Sequence, residues 1–160
     1  MDKECQSKKK FATREEFLPV WLKFKKDLNT GKVRTAVYEN GEWRGNTWVK
    51  EMILLGFKHG EITNIKPGII DKDTMGSRAI TLEERVRTVG VAAEVRDGVY
   101  IGKGVTFMPP SYTNIGAYID DGSMIDSLVL VGSCAQIGKN VHVGAGTIIG
   151  GVLEPVNAYP

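Results

Sequence analysis

The stretch GSCAQIGKNVHVGAGTIIGG, residues 132–151, contains too much glycine for a helix and has too regular an apolar spacing for a loop. Its aliphatic residues Ile137, Val143 and Ile149 recur at every sixth position, and a glycine follows each of them. A period of six with glycine at the turn is typical of the hexapeptide parallel β-helix, in which each hexamer forms one short strand and one turn. The stretch therefore predicts triangular coils, each built from three hexamers.

The same period extends far upstream of this stretch. Ten of the eleven positions reached by stepping in sixes from Val89 are aliphatic or aromatic, namely Val89, Val95, Ile101, Phe107, Ile119, Ile125, Val131, Ile137, Val143 and Ile149, with Thr113 as the exception. A single coil cannot bury its apolar residue alone, so the coils must stack and pair their backbones in parallel. We expect residues 87–160 to form this β-helix. The repeat is still in phase at Leu153, so the last coil would expose apolar side chains and unpaired strand edges. We therefore expect that the sequence is a piece of a longer protein or that a partner covers the last coil.

The chain before the repeat predicts a small α+β domain over residues 1–60, followed by a linker or irregular segment over residues 61–86. Thr13 and Glu16 have capping-box spacing, and a helical apolar face follows and ends before Gly31. Asn40-Gly41 favours a type I′ hairpin turn, and helical spacing returns from Trp48 to Phe57. The fold class predicted is therefore mainly β, a hexapeptide β-helix behind a small α+β domain.

Composition and charge exclude several classes of protein. The chain has 21 basic and 19 acidic residues, well mixed, which gives no footprint of a nucleic-acid or membrane binder. It has only two cysteines, so a disulfide framework is not indicated, and it shows no signal-peptide pattern and no membrane-spanning run. We expect a cytoplasmic protein.

Several long motifs resemble one enzyme family. They are MPPSYTNIGAYIDDGSMIDSLVLVGSCAQIGKNVH at 108–142, IGGVLEPVNAYP at 149–160, VAAEVRDGVYIGKGVTFMP at 91–109 and, more weakly, VRTAVYENGEWRGNTWVKEMILLGFK at 33–58. Together they resemble the tetrahydrodipicolinate N-succinyltransferases, hexapeptide-repeat acyltransferases of lysine and diaminopimelate biosynthesis. The resemblance implies a left-handed β-helix, a handedness that the periodicity alone does not give.

The resemblance also implies an activity and an assembly. Members of the family move a succinyl group from succinyl-CoA, as co-substrate, to the amino group of ring-opened tetrahydrodipicolinate, an amino-ketopimelate, with no permanently bound cofactor. They are homotrimers with active sites between neighbouring β-helices. In the family motif, the aspartate that ends GSMID contacts the substrate. This aspartate corresponds to Asp126 here. In the family, an arginine before the first coils binds a substrate carboxylate. This arginine corresponds to Arg87 here, although one extra residue before Arg96 leaves Arg85 as an alternative.

These residue types suit the chemistry of acyl transfer to an amine. A carboxylate within hydrogen-bond reach orients the amine and helps to remove its proton, and an arginine offers a bidentate fork to a carboxylate. The sequence departs from the family in PPSYT at 109–113, in DSLVLVGS at 126–133, and in lacking the downstream coils. Two alternatives therefore stay open: a non-catalytic or degenerate β-helix subunit or fragment, and a related N-acyltransferase that acts on another amino diacid.

Other polar residues in the repeats receive structural interpretations. Asp120, Asp121 and Asp126 raise the question of a metal site, but positions six apart fall on different faces of the prism, so we expect solvated turns and no metal. His59 and His142 are too few for a three-histidine zinc site. Cys134 is expected to be a packed thiol. We expect Tyr118, Gln136 and Glu154, one coil apart, to stack as a row along one face, either at the rim of a groove or as a surface ladder.

Overall fold

Two helices form the core of the N-terminal part in the computed structural model, which describes residues 11–159. Helix α1 spans Arg14–Asn29 and helix α2 spans Thr47–His59. The Thr13 side chain accepts a hydrogen bond from the Glu16 amide, as the capping-box spacing predicts. The first ten residues of the predicted N-terminal domain, Cys5 among them, lie outside the described residues.

The predicted hairpin between the helices is present. Strand β1 (Ala36–Glu39) pairs antiparallel with β2 (Glu42–Gly45), and Glu39 lies opposite Glu42. Asn40 and Gly41 both have positive φ angles, 54° and 85°, which is the conformation of a type I′ turn. The Asn-Gly pair therefore sets the register of this hairpin.

The apolar face of α1 packs against α2 and the side of the β-helix. The buried cluster contains the predicted helix residues together with Met75, Ile115 and Cys134, its members being Phe17, Trp21, Phe24, Leu28, Val33, Val49, Met52, Ile53, Met75, Ile115 and Cys134. Because Ile115 and Cys134 belong to the repeats, the two halves of the chain share this cluster, so the burial that stabilises the helices also attaches them to the β-helix. Within the described part of the chain, no helix is both long and apolar enough to cross a membrane.

The segment predicted to be irregular contains a second hairpin. Strand β3 (Ile62–Lys66) pairs antiparallel with β4 (Ile69–Lys72). Pro67 and Gly68 make the turn, with Gly68 at φ 80°, a pairing that suits a type II turn. The prediction was wrong here because the apolar residues of this hairpin lie largely in solvent, so no alternation of buried and exposed positions marks it. A 3₁₀ turn at Leu82–Glu84 follows.

The repeats form a left-handed parallel β-helix of about four turns, as predicted. Its eleven short strands are β5 (Arg87–Thr88), β6 (Ala93–Val95), β7 (Tyr100–Ile101), β8 (Thr106–Phe107), β9 (Ser111–Thr113), β10 (Tyr118–Ile119), β11 (Met124–Ile125), β12 (Leu130–Val131), β13 (Gln136–Ile137), β14 (His142–Val143) and β15 (Ile148–Ile149). They form three parallel sheets in the orders β5-β8-β11-β14, β6-β9-β12-β15 and β7-β10-β13. Each sheet is one face of the prism.

The six-residue row lies inside the prism, with one correction at its start. The row is buried from Val95 to Val143, and Ile149 is half-buried at the last coil. Val89, however, is not in the row, because Thr88 lies opposite Phe107 and Arg87 opposite Thr106. Ala93 lies opposite Ser111, so the extra residue falls between Thr88 and Ala93. Val86 instead packs against the core from outside the repeat.

From Gly98 to Gly146 the turns of the β-helix repeat a left-handed backbone conformation at every sixth residue except position 110. Positive φ angles occur at 98, 104, 116, 122, 128, 134, 140 and 146. Most of these positions carry glycine, which adopts this conformation without steric cost, but Leu128, Cys134 and Asn140 adopt it as well. The period of the sequence therefore follows the backbone conformation at the turns as well as the buried side chains.

A row of stacked side chains joins the N-terminal part to one face. Tyr100 and Tyr118 stack with ring centroids 4.3 Å apart, and Gln136 continues their column. The guanidinium of Arg34 lies 3.7 Å from the Tyr118 ring centroid, and its Nε donates to Gln136. Glu154, predicted as the next member, lies outside this sheet. The row is therefore mainly a contact between the two halves of the chain.

Thr113 is the one polar residue on the inward row between Val95 and Val143, and its replacement is expected to stabilise the fold. Its side chain is fully buried, and its hydroxyl has no hydrogen-bond partner within the described residues. Valine has the same shape without a polar atom, so Thr113→Val should raise the free energy of unfolding by about 1 kcal/mol. Urea denaturation measures this change, with the more exposed Thr106→Val as the control. A loss of stability in Thr113→Val would show that the hydroxyl is hydrogen-bonded in solution.

Candidate functional site

The sheet formed by β5, β8, β11 and β14 presents one column of outward side chains. The strand register places Arg87, Thr106, Met124 and His142 in this column, one from each successive coil. Asp126 follows β11 directly, at the end of the same sheet. We call this surface the site face, defined by the outward residues of these four strands together with Asp126.

The backbone next to Asp126 holds its carboxylate. Its Oδ1 accepts a hydrogen bond of 2.7 Å from the Ser127 amide. Asn114 and Asp120 occupy the equivalent turn positions of the two preceding hexamers, and each accepts the same bond from the amide of the next residue. This local bond explains why an aspartate suits the turn, so the bond alone does not distinguish a functional residue from a structural one.

What distinguishes Asp126 from those two positions is a histidine. His142 Nε2 lies 3.0 Å from Asp126 Oδ2. The Asp126 side chain is 28% exposed and the His142 side chain 61% exposed, so the pair is at the surface and open to a small molecule. The carboxylate thus has one partner on each oxygen, which fixes its orientation.

The pairing of Asp126 with His142 was not predicted from the sequence, where His142 was considered only as a zinc ligand. The sequence did contain a signal for this pairing. Residues one coil apart stack in register, and His142 lies one coil after Met124, which precedes Asp126 by two residues. The eighteen-residue spacing of the coils therefore places the imidazole of His142 beside the turn that carries Asp126.

The two hydrogen bonds also affect the acidity of Asp126. The Ser127 amide, and after it His142, lower the pKa of the carboxyl group below its usual value. Asp126 is therefore ionised at neutral pH and acts only as a hydrogen-bond acceptor. Such a group suits a cation, including the ammonium form of an amine substrate.

Of the two candidate arginines, the structure places Arg87 on the site face and Arg85 off it. Arg87 is an exposed residue of β5, two strands from β11 in the same sheet. Two strand spacings put the backbones of β5 and β11 roughly 10 Å apart, and two side chains with an extended diacid between them can fill this gap. Arg85 instead follows the 3₁₀ turn in the left-handed conformation, with φ 55°, before the sheet begins.

The other candidate groups do not form a site with these residues. Asp121 pairs with Lys139 at 3.3 Å on a different part of the prism. The described residues include no cluster of three or more His, Cys, Asp or Glu side chains suited to a metal ion. Cys134 is fully buried, and burial raises the pKa of its thiol to about 12, so it is a packed thiol as predicted.

The arrangement can therefore bind an amino diacid by its two charged ends. Asp126 offers a fixed anionic acceptor to an amine, and Arg87 offers a guanidinium to a carboxylate. Thr106, Met124 and Met108 lie between or beside them and are half-buried, so they offer both polar and apolar contact to a chain lying across the face. The outward residues of this face include no cysteine, serine or lysine, which fits chemistry in which the substrate amine attacks.

Comparison with protein families gives a match at the N-terminal part. The model described as "Tetrahydrodipicolinate N-succinyltransferase N-terminal" matches residues 6–59. This region contains both helices and the first hairpin, and it lies outside the repeats. The match is therefore independent of the hexapeptide pattern.

Curated relatives match over most of the chain. Proteins named 2,3,4,5-tetrahydropyridine-2,6-dicarboxylate N-succinyltransferase are 44% identical over 139 residues in Sodalis glossinidius and in Acinetobacter baylyi, and 46% identical over 140 residues in Shewanella pealeana. Each match covers 83% of this chain and 50% of the relative. The chain thus spans about half the length of the curated relatives it matches.

Proposed function

Because this chain belongs to the tetrahydrodipicolinate N-succinyltransferase family, we propose that the protein transfers a succinyl group from succinyl-CoA to the amino group of ring-opened tetrahydrodipicolinate. The observation that carries the proposal is the fixed Asp126 carboxylate on the same sheet as Arg87. The two groups together match an acceptor that has both an amine and carboxylates.

The chemistry assigns a role to each residue. Asp126 accepts a hydrogen bond from the acceptor amine and holds it against the thioester carbonyl of succinyl-CoA. Once the amine has lost a proton, its nitrogen forms a bond to the carbonyl carbon, and the bond from that carbon to sulfur breaks to release the CoA thiolate. Arg87 binds a carboxylate of the acceptor and orients the amine towards Asp126.

The proposal includes the assembly and the location. The enzyme works as a homotrimer, with succinyl-CoA as a co-substrate, no permanently bound cofactor, and neither nucleic acid nor membrane as a partner. A cytoplasmic location fits the low cysteine content of the chain.

The test is turnover by the purified protein at a known assembly state. Light scattering gives the mass of the assembled species, and release of the CoA thiol is then followed with the amino-ketopimelate acceptor present and absent. Acceptor-dependent release by a trimer supports the proposal. A well-folded trimer that releases no CoA would contradict it and would favour a non-catalytic β-helix subunit.

Two arginine variants test the assignment of the carboxylate-binding residue. Arg87→Lys keeps the charge but removes the bidentate fork, so we expect KM for the acceptor to rise about ten-fold while kcat changes little. Arg85→Lys is the matched control, because Arg85 lies just before the sheet, and it should leave KM unchanged. The reverse pattern, with KM raised only in Arg85→Lys, would assign the role to Arg85.

A further inference from the structure

Arg34 is a half-buried cation that forms no ion pair within residues 11–159. It lies between α1 and β1, with its guanidinium 3.7 Å from the ring centroid of Tyr118 and 4.9 Å from that of Trp43. Burial lowers the pKa of the guanidinium, and Asp120, which is near it without forming an ion pair, offsets only part of this effect. An arginine still stays charged at neutral pH, so the protein holds a partly desolvated cation without a counter-ion in direct contact.

The Gln136 side chain holds this guanidinium in place. Its Oε1 accepts a hydrogen bond from Nε of Arg34. Its Nε2 donates to the Thr35 hydroxyl at 2.8 Å and to the Cys134 carbonyl at 2.9 Å, which fixes the end of the amide that faces Arg34. The two terminal nitrogens of Arg34 have no hydrogen-bond partner in the described part of the chain. Their N–H groups form the fork that matches the two oxygens of a carboxylate.

Arg34 also lines a cleft between the N-terminal part and the β-helix, which we call the Arg34 cleft. Its volume is about 410 Å³, within the range of small-molecule sites. Val33, Val37 and Trp48 supply apolar surface to its walls, and the Tyr118 ring supplies more. The carbon chain of an organic acid can bury apolar surface against such walls, whereas an inorganic anion cannot.

The charges around the Arg34 cleft favour an anion. Among the residues that line it, Arg34 and Lys32 are cations and Glu39 is the one carboxylate. The Lys32 side chain is 64% exposed, and its only carboxylate neighbour within the described residues is Asp27, at 3.9 Å. The ammonium group of Lys32 is therefore available to a ligand, and the excess of positive charge raises the local concentration of anions.

We propose that the Arg34 cleft binds the carboxylate of a small organic acid, with Arg34 as its bidentate anchor and the apolar walls against its carbon chain. The cleft adjoins the sheet of β7, β10 and β13, because Tyr118 belongs to β10, so it is separate from the site face. The inference does not depend on succinyl transfer. A bound acid contacts both halves of the chain and should raise the Tm of the protein.

Tryptophan side chains give a local reading of this binding. The chain has three tryptophans, so ¹⁵N NMR shows three indole signals, which Trp43→Phe and Trp48→Phe assign. Titration with sodium butyrate should move the signals of Trp48, which lines the cleft, and of Trp43, which contacts Arg34. Trp21 is fully buried and donates to the Thr74 carbonyl at 3.1 Å, so its signal should stay in place. A Trp48 signal that does not respond to butyrate would overturn the inference.

Matched ligands separate the carboxylate from the carbon chain and from charge alone. Butylamine has the same chain with a cation in place of the carboxylate, and inorganic phosphate is an anion without a chain. At equal concentration and ionic strength, we expect each to move the Trp48 signal at least about ten-fold less than butyrate does. An equal response to phosphate would show an unspecific anion site, and an equal response to butylamine an apolar contact. Either result would contradict the proposal.

An arginine variant tests the anchor itself. Arg34→Lys keeps the charge but removes the fork, so the Kd for butyrate should rise at least about ten-fold. Arg44→Lys is the matched control, because Arg44 is an exposed residue of β2 that does not line the cleft, and its Kd should equal that of the parent protein. An unchanged Kd in a folded Arg34→Lys protein would overturn the inference.

Two exposed residues test the same site without disturbing the contact of Arg34 with Gln136. Lys32→Gln removes a cation and should raise the Kd for butyrate about three-fold, whereas Glu39→Gln removes the carboxylate and should lower it about two-fold. These variants decide the question if Arg34→Lys does not fold. A Kd that changes in neither of them would contradict a site in this cleft.

Arg87 on the site face is the other guanidinium proposed to bind a carboxylate, and it needs its own control. Arg87→Lys should leave the response of Trp48 to butyrate unchanged, because the two residues lie on different parts of the molecule. Loss of that response would assign the binding to the site face and overturn the inference. The reading requires no turnover, so failure of succinyl transfer would leave this result intact.

Discussion

If the proposed succinyl transfer is correct, replacing Asp126 with asparagine is expected to lower kcat by at least about a hundred-fold and to leave the expected trimer intact. The neutral amide carries no negative charge, so the acceptor amine loses its anionic partner. Asparagine occupies the equivalent position at residue 114 and makes the same bond to the next amide, so the turn itself is preserved. Steady-state kinetics with light scattering measure both parts of the prediction.

Asp120→Asn is the matched control for that experiment. Asp120 lies one hexamer earlier and accepts the same local hydrogen bond. Within the described residues, however, its carboxylate has no histidine partner of the kind that Asp126 has. We expect its kcat within about two-fold of the parent protein, since its carboxylate is on another face. Equal loss in the two variants would show that Asp126 acts through the turn, and loss of the assembly in Asp126→Asn would show a structural role.

Replacing Ile137 with aspartate unfolds the coils. Ile137 is on the inward row and 5% exposed, packed among the aliphatic residues of neighbouring coils. A carboxylate there has no partner and no water, so the free energy of unfolding should fall by about 3–5 kcal/mol, a large part of the stability of a typical domain. Urea denaturation followed by circular dichroism measures the change.

Ile148→Asp makes the same chemical change at an outward position. Ile148 begins β15 and is 75% exposed, so its replacement should change the free energy of unfolding by no more than about 0.5 kcal/mol. The contrast tests the assignment of inward and outward positions directly. Similar losses from both variants would contradict the packing described for the row.

Much of the fold follows from local rules that the sequence displays. The period of six predicts the buried row from Val95 to Val143, because each hexamer repeats the same strand and turn. Asn40-Gly41 predicts the first hairpin, because both residues tolerate positive φ. These features depend on residues close together in the chain, so a single sequence is sufficient to predict them.

The features that were missed depend on surroundings or on register. The hairpin from Ile62 to Lys72 lies largely in solvent, so its apolar residues show no alternation that marks a strand. The resemblance indicated an extra residue before Arg96, but only the pairing with the next coil shows that it lies between Thr88 and Ala93 and shifts the first strand by one position. The contact of Arg34 with Gln136 joins parts of the chain 102 residues apart.

The candidate site was predicted in its residues but not in its geometry. The family resemblance supplied Asp126 and left Arg87 and Arg85 as alternatives, while composition and spacing alone favoured a solvated turn. The stacking of coils then placed Arg87 on the face that carries Asp126 and brought His142 to it. A histidine sixteen residues away is adjacent only because each coil returns the chain to the same face.

Identification of the product shows directly whether the protein transfers a succinyl group to the acceptor amine. The purified protein is incubated with the amino-ketopimelate acceptor and either succinyl-CoA or acetyl-CoA, and the acceptor is examined by mass spectrometry. The expected result is that the acceptor gains one succinyl group on its amine with succinyl-CoA, and that Asp126→Asn nearly abolishes this product while Asp120→Asn does not. An unmodified acceptor with a folded, assembled protein, or a product formed equally well by Asp126→Asn, would contradict it.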